Sequence, residues 1–311
     1  MTGLKNTEMS KQALLCMQRH AWEQGVAMQA FYELGDRDTV ILLAKEAAYR
    51  AVEDGRCAIL SDYNNVTDPC CVGEALKWAW EQTGDKDLKH ALDALTDWAL
   101  NKAPRSANGI VYHVMNEPSI RADSMYMLPP FLAAIGRHEE AMKQMRGYEF
   151  ALKDETGLYS HMWNEEKRIF TRKAHWGVGN GWVLAAFARM IPLMPEHASE
   201  LISKAKTLID ALLPFMTDGC FHDVVDDDNT FIELNLSQIL AYTLLRGMRQ
   251  GWLEGYTDTV KILRNAYLAR VDEYGIIRQT CGAPFFDKPG TAPECQAFLL
   301  MAEHEWELAN I

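Results

Sequence analysis

Positively charged side chains are under-represented in this sequence. Its 311 residues include 31 lysines and arginines but 43 aspartates and glutamates, which gives a net charge of −12. An excess of negative charge repels nucleic acids and anionic membranes, so we predict neither as a partner. An anionic substrate would need a local pocket of basic or hydrogen-bond-donating groups.

Membrane and export signals are also missing. No apolar run approaches the roughly 20 residues that cross a bilayer. The N-terminal segment MTGLKNTEMSKQALL has no basic start, no apolar run and no small-residue cleavage site, so it does not predict a signal peptide. We therefore predict a cytoplasmic protein.

The cysteine pattern argues against a disulfide scaffold and against a zinc site. The seven cysteines are scattered, and the adjacent Cys70 and Cys71 cannot easily bridge each other. No C-x-x-C pair is followed by a second pair or by spaced histidines, as zinc sites require. Reduced thiols fit this pattern best, and we predict neither a metal nor a cofactor. A thiol nucleophile at Cys70 or Cys71 is disfavoured, because the sequence places no histidine partner beside it.

Helical periodicity dominates the chain. Apolar residues recur at three- and four-residue spacing, and short turns such as LGDRD, TGDKD and IGRHE recur roughly every 50 residues, which is typical of a helical-hairpin array. The predicted helices cover residues 11–34, 39–53, 72–82, 88–101, 124–135, 139–152, 183–193, 197–215, 234–253, 257–269 and 292–310. This pattern favours a ring of hairpins with its long loops on one face, and an open solenoid is the competing arrangement.

The connections between hairpins contain the only strand-like segments. Residues 109–113 and 157–163 alternate polar and apolar side chains, a pattern that indicates short β segments in the long loops. No proline- or serine-rich linker and no change of composition divides the chain. We therefore predict one domain for residues 1–311.

The stretch HWGVGNGW, residues 175–182, is the least generic part of the sequence. Glycines allow positive φ and close approach of a ligand, and the indoles of Trp176 and Trp182 offer flat apolar faces on which a sugar can stack. Asn180 is placed to cap the following helix or to bind a hydroxyl group. The alternative is an ordinary glycine-rich loop between helices whose tryptophans belong to the core.

Two aspartates stand at equivalent positions of successive hairpins. Asp123 precedes the helical run SMYMLPPFL, and Asp68 precedes PCCVGEAL. Each is a good helix N-cap, which is the structural alternative. In a closed ring, however, both carboxylates would point into the central cavity, where their mutual repulsion and burial would raise the pKa of one of them. Such a pair can serve as a general acid and its partner.

Histidines and aromatic residues in the same long loops are candidate substrate contacts. His113 and His161 each end a strand-like segment and could donate to a sugar hydroxyl or a carboxylate, or could bond to a loop carbonyl instead. The aromatic candidates are Trp163, Tyr126 and Trp22, each of which could equally be a core residue. Glu23, beside Trp22, is expected to be exposed. The acidic run 226–228 lacks the spacing of a calcium loop.

Several of these motifs together resemble a known family. WEQGV at 22–26, Asp68 ahead of GEAL, PRSANGIVYH at 104–113, RADSMYMLPPFL at 121–132, GLYSHMW at 157–163, WGVGNGW at 176–182 and PECQAFLLM at 293–301 span nearly the whole chain. They are similar to those of the unsaturated rhamnogalacturonyl hydrolases, glycoside hydrolase family 105, and of the related unsaturated glucuronyl hydrolases of family 88.

The resemblance implies an all-α (α/α)6 toroid, a six-hairpin barrel whose short β segments lie in the loops on the active-site face. It also implies release of a terminal 4,5-unsaturated uronic acid from oligosaccharides made by polysaccharide lyases. Asp123 would protonate C4 of the double bond, water would add at C5, and the resulting hemiketal would open and eject the aglycone. Asp68 would position water or the sugar, and His161, Trp176 and Trp182 would hold the ring.

The sequence departs from the family at two positions. Many relatives carry an arginine where this chain has Val178, and arginine is suited to bidentate binding of a carboxylate. Arg172, Lys173 or His175 could replace it from the same loop. Asn235 also stands where relatives have a small hydroxyl residue.

Two alternatives to this function remain open on the sequence. One is another enzyme of the same toroid fold, either a sugar epimerase or a conventional glycosidase. The other is a non-catalytic helical-array binding protein.

Overall fold

The computed structural model describes residues 7–311. The first six residues, which belong to the N-terminal segment that does not predict a signal peptide, lie outside the described part of the chain. The helices are α1 Thr7–Met17, α2 Ala21–Glu33, α3 Arg37–Tyr49, α4 Gly73–Thr83, α5 Lys86–Asp97, α6 Ser124–Met127, α7 Pro129–Ala134, α8 His138–Leu152, α9 Gly177–Leu193, α10 Ala198–Leu212, α11 Asn235–Arg249, α12 Thr257–Leu268 and α13 Pro293–Ala309. Among these described helices, none is both long enough and apolar enough to cross a membrane.

The strands are short and lie in the connections. They are β1 Ser119–Arg121, β2 Met162–Asn164, β3 Ile169–Arg172, β4 Phe221–His222, β5 Ile232–Glu233, β6 Thr280–Gly282 and β7 Phe285–Gly290. The first three form one antiparallel sheet in the order β1-β2-β3, and the others form two hairpins, β4-β5 and β6-β7. The structure is therefore mostly helical with small β elements, as predicted.

The predicted strand at residues 109–113 is reduced to a single antiparallel bridge between Val111 and Arg105, and the segment 157–163 is a strand only from Met162 onward. Side chains of α8 bind the backbone of the first segment instead. The Val111 N–H donates to Gln144 Oε1 at 2.9 Å, and Tyr148 Oη donates to the Val111 carbonyl at 3.0 Å. Polar groups that are satisfied in this way have no need of a strand partner.

The predicted helix at residues 11–34 is two helices, α1 and α2, and Glu23 lies in the first turn of the second. Its carboxylate accepts the backbone N–H groups of Arg19 at 2.5 Å and His20 at 2.9 Å, and it forms a capping box with His20 at the start of α2. This use of the carboxylate buries Glu23. The expectation that Glu23 is exposed was wrong.

The chain forms two compact units that alternate along the sequence. One unit contains the described residues up to Gln18, then Glu155–Leu158 and Ala174–Ile311; the other contains Arg19–Asp154 and Tyr159–Lys173. We call them the C-terminal unit and the N-terminal unit. The expectation of a single domain for residues 1–311 stays a prediction.

The C-terminal unit is built around α9, α11 and α13. Helix α9 is apolar on nearly all of its surface, which is typical of a helix in the middle of a core. The ring of Phe298 packs edge-on against Trp182 at 5.6 Å and against Tyr242 at 5.7 Å. A buried Arg264–Glu303 pair joins α12 to α13 through two parallel hydrogen bonds of 2.8 and 2.7 Å, the strongest geometry for such a pair.

In the N-terminal unit, α2 packs directly on a 3-10 turn, Asp68–Val72. A glycine makes this close approach possible. A Cβ atom added at Gly25 of α2 would lie 2.5 Å from Cys71 Cβ and 2.6 Å from its Sγ. The turn begins with Asp68, so the absence of a side chain at Gly25 sets the position of that aspartate.

Replacing Gly25 by alanine should therefore push the turn away from α2. We expect Gly25→Ala to lower the free energy of unfolding by about 1–3 kcal/mol, the usual cost of overpacking, as measured by urea denaturation. Adding Cys71→Gly removes the overlapping Cβ and Sγ atoms but leaves the backbone carbonyl carbon at 2.8 Å, so it should recover part of the loss. Equal stability of Gly25→Ala and the wild type would contradict this packing.

Candidate active site

Asp68 is held at the start of the 3-10 turn with little access to solvent. It is 4% exposed, and its Oδ2 accepts a hydrogen bond from Asn65 Nδ2 at 2.6 Å. The same Asn65 amide donates to Asp62 Oδ2 at 2.9 Å. One amide group thus links a buried carboxyl to a second carboxylate closer to the surface.

Asp123 precedes α6, but its side chain does not cap that helix. The residue has helical backbone angles and makes no side-chain capping hydrogen bond. Its Oδ2 lies 3.2 Å from His161 Nε2 instead, and its side chain is 18% exposed. The N-cap alternative therefore does not describe Asp123, and its carboxylate is open to both a histidine and solvent.

His161 is oriented by an arginine on its far side. Arg172, the last residue of β3, donates from Nη1 to His161 Nδ1 at 2.8 Å. A guanidinium has no acceptor, so Nδ1 must accept and the ring proton lies on Nε2. The imidazole therefore donates this proton toward Asp123.

His113 connects the segments that carry the two aspartates. Its Nδ1 lies 3.0 Å from both Thr67 Oγ1 and Ser124 Oγ, and its Nε2 lies 3.7 Å from Asp68 Oδ1. Burial, together with the positive charge of Arg121, lowers the pKa of His113 to about 3. It is therefore a neutral, buried hydrogen-bonding residue at physiological pH. Neither hydroxyl partner was foreseen from the sequence.

The pKa values of the two aspartates move in opposite directions. Burial and the negative charge of Asp123 raise the pKa of Asp68 well above its usual value. Burial also raises the pKa of Asp123, but His161, His113 and Arg121 outweigh this effect and hold it below the ordinary range. The sequence predicted a pair whose pKa values diverge, but the raised pKa belongs to Asp68 rather than to Asp123.

The aromatic candidates of the N-terminal unit differ in accessibility. Trp163 on β2 is half-buried, and its Nε1 donates to Glu165 Oε2 at 2.8 Å. Trp22 is also half-buried and stacks in parallel on the His20 ring at 4.3 Å. Tyr126 is completely buried, so no face of its ring can meet a sugar without movement of its neighbours. We therefore leave Tyr126 out of the proposed contacts.

The WGVGNGW stretch lies in the C-terminal unit and is not a loop. Helix α9 already begins at Gly177, and none of its first three glycines has positive φ. Close packing accounts for Gly181, since a Cβ added there would lie 2.8 Å from Ile239 Cδ1. Trp176 and Trp182 are 3% and 2% exposed, and Asn180 Nδ2 donates to the Trp176 carbonyl at 3.0 Å.

Val178 and Asn235, the two departures from the family pattern, are also buried in this unit. Val178 lies within the first turn of α9, where it presents an apolar side chain. Asn235 is the first residue of α11. The position at which relatives carry an arginine thus supplies no cation here.

A buried acidic cluster follows Trp176 in the same unit. Trp176 Nε1 donates to Asp223 Oδ1 at 2.9 Å. Glu233 precedes α11 and accepts the backbone N–H groups of Asn235 at 2.8 Å and Cys281 at 3.1 Å. Burial raises the pKa of Glu233 to about 8 in spite of these donors. In residues 7–311, no three acidic, cysteine or histidine side chains are grouped as metal ligands.

Comparison with known proteins defines the class first. The chain matches a crystal structure from Klebsiella pneumoniae, described as a possible member of family GH105, with a TM-score of 0.81 over 93% of this chain and 83% of that chain at 23% identity. A family 105 glycoside hydrolase from C. acetobutylicum gives a TM-score of 0.83 over 98% of this chain and 99% of that chain at 20% identity. These neighbours define the (α/α)6 toroid fold, and the prediction of that fold is confirmed.

A match of the sequence to a family model identifies the family. The model of Glycosyl Hydrolase Family 88 matches residues 2–288, so the chain belongs to this family. Among characterised relatives, the unsaturated rhamnogalacturonyl hydrolase YesR of Bacillus subtilis is 28% identical over 275 residues, which cover 82% of this chain and 77% of YesR. The resemblance to families 105 and 88 noted in the sequence is confirmed.

The raised pKa of Glu233 predicts a pH-dependent stability. Between pH about 4.5 and 8 the folded protein keeps a proton that the unfolded chain releases, so stability should fall as pH rises, by at most about 1.4 kcal/mol per pH unit. Glu233→Gln should reduce this slope in urea unfolding measured from pH 5 to 8. Asp68 acts in the same direction, so part of the slope remains.

The quantity to compare is the slope of the free energy of unfolding against pH. The absolute stability is not suitable, because the substitution also changes backbone hydrogen bonds. Glu254→Gln replaces an exposed carboxylate of the same unit and should leave the slope unchanged. A Glu233→Gln protein whose slope equals that of the wild type would rule out the buried, protonated carboxyl.

Proposed function

We propose that this protein is an unsaturated uronyl hydrolase, which removes a terminal 4,5-unsaturated uronic acid from oligosaccharides produced by polysaccharide lyases. One observation carries the proposal. Asp68 and Asp123 lie in the same unit, close enough for the charge of one to raise the pKa of the other, and each has a histidine beside it. Family membership fixes the reaction class as glycoside hydrolysis.

Asp123 is the residue of the pair that can reach a substrate. Its side chain is about three times as exposed as that of Asp68, 18% against 6%. It is ionised in the free protein and needs a proton before it can act as an acid. A bound sugar that displaces water and brings its own negative charge raises the pKa of a nearby carboxyl, which allows Asp123 to take up that proton.

The chemistry then follows from the double bond. Asp123 gives its proton to C4, and the positive charge that develops at C5 is shared with the ring oxygen. Water attacks C5 and returns a proton to the Asp123 carboxylate, so the residue acts first as an acid and then as a base. The hemiketal at C5 opens to a ketone, C1 becomes a hemiacetal carbon, and this carbon releases the aglycone as an alcohol.

Asp68 and the two histidines position these groups. Protonated Asp68 adds no second negative charge and can donate a hydrogen bond to the attacking water or to a sugar hydroxyl. His161 orients Asp123, and His113 fixes the spacing of the two acids. Trp163 and Trp22 are proposed as stacking surfaces. The contacts implied for Trp176, Trp182 and Asn180, which belong to the C-terminal unit, stay predictions.

We also propose a cytoplasmic location. None of the seven cysteines, all of which lie in the described residues, forms a disulfide bond, and thiols in this state fit a reducing compartment. The partner is then a small unsaturated uronyl oligosaccharide that has reached this compartment.

The function is tested by loss of the ultraviolet absorbance of the unsaturated sugar. We expect turnover of at least one of a panel of lyase-cut pectin, gellan, xanthan, ulvan and glycosaminoglycan fragments. Asp123→Asn should lower kcat by about 10²–10⁴-fold, as loss of a general acid–base does, while circular dichroism shows a folded protein. Asp258→Asn, which replaces a 95% exposed aspartate, is the matched control.

Retained activity in folded Asp123→Asn would refute its role. Turnover of a saturated sugar, with no panel member losing absorbance, would refute the proposed reaction.

A further inference from the structure

Two arginines occupy one rung of the sheet in the N-terminal unit. Arg121 of β1 pairs with Met162 of β2, and Met162 pairs with Arg172 of β3. Neighbouring strands lie about 4.8 Å apart, so the two arginine Cα atoms are separated by roughly two strand spacings. Two long side chains at this separation can reach a single small anion.

The guanidinium of Arg121 is held by a hydrogen bond at Nε, and it forms no ion pair with a carboxylate in the described residues. Its Nε donates to Ser119 Oγ at 3.1 Å, and Ser119 is buried. Within residues 7–311, no carboxylate lies within 4.0 Å of Arg121. Other half-buried or buried arginines of this chain do form ion pairs with carboxylates: Arg56 with Asp54, Arg246 with Glu305 and Arg264 with Glu303.

The positive charge of Arg121 is felt by the proposed catalytic groups. It acts to lower the pKa of Asp68, of Asp123 and of His113. Arg172 supplies a second positive charge near these groups, since its Nη1 contacts His161. In a chain with a net charge of −12, this is a local concentration of positive charge beside two acids.

We propose that Arg121 binds the carboxylate of the uronic acid, with Arg172 as a second cation that also orients His161. The inference rests on the proposed function and extends it to the recognition of the substrate's charge. The terminal nitrogens of Arg121 can bind both oxygens of a carboxylate in parallel. This carboxylate is attached to C5, so holding it places C5 and the adjacent C4 beside Asp123.

The first test compares an acid with its neutral derivative. The substrates are an unsaturated uronyl oligosaccharide and the same compound with its terminal carboxyl methyl-esterified. The wild type should prefer the acid. Arg121→Gln should lower kcat/KM for the acid by about 10–100-fold, the usual worth of hydrogen bonds to a charged group, mainly through KM. The acid-to-ester ratio of kcat/KM should fall with it, because any effect of the lost charge on the acid pair is common to both substrates.

Two further variants separate charge from folding. Arg121→Lys keeps the charge but loses the bidentate geometry, so its preference for the acid should be intermediate. Arg137→Gln makes the same change at an exposed arginine of the same unit and should keep the full preference. An unchanged acid-to-ester ratio in folded Arg121→Gln overturns the proposal.

A binding measurement does not depend on turnover. Calorimetric titration with sodium galacturonate and sodium glucuronate, and with neutral galactose and glucose, should show that the wild type binds the uronates more tightly. Arg121→Gln should lose this difference. If no lyase product is turned over but Arg121-dependent uronate binding is found, the proposed function fails and this inference holds. A uronate affinity that is absent from the wild type, or equal in Arg121→Gln, overturns the inference.

Discussion

The hydrogen bonds of His113 are the constraint on which the acid pair depends. Its imidazole contacts the hydroxyl groups of Thr67 and Ser124, the residues immediately before Asp68 and immediately after Asp123. Its backbone joins the same two segments, because its N–H donates to the Ser119 carbonyl and its carbonyl accepts from the Val66 N–H. Two aspartates that are 55 positions apart in the sequence are thereby held at a fixed spacing by one buried, neutral residue.

Electrostatic interactions shift the pKa values of the two carboxyl groups in opposite directions. A buried pair of like charges is costly, and the cost is avoided when one member keeps its proton. The raised pKa belongs to Asp68 because it is the more buried member and has no positively charged hydrogen-bond partner among the described contacts, whereas Asp123 faces His161. Gly25, Asn65 and Arg172 all act through this asymmetry, since they set where Asp68 sits or how His161 is turned.

The sequence predicted the elements that have a strong local signal and missed those that depend on distant contacts. Helical periodicity gave most helices to within a few residues, and the repeated position before a helix identified both aspartates. The glycines of WGVGNGW were misread because the contact of Gly181 with Ile239 is invisible in a local pattern. Arg121 was passed over although it stands two residues before Asp123, since only the pairing of β1, β2 and β3 shows its relation to Arg172.

The order in which the chain enters its two units has a consequence for biosynthesis. The N-terminal unit is interrupted by Glu155–Leu158 and is completed only by Tyr159–Lys173. His161 and Arg172 lie in that final segment. On a ribosome, where domains fold as they emerge, the earlier helices and both aspartates are available well before His161, which lowers the pKa of Asp123, and Arg172, which contacts His161. The nascent unit therefore lacks the histidine partner of Asp123 until the β2–β3 hairpin has been translated.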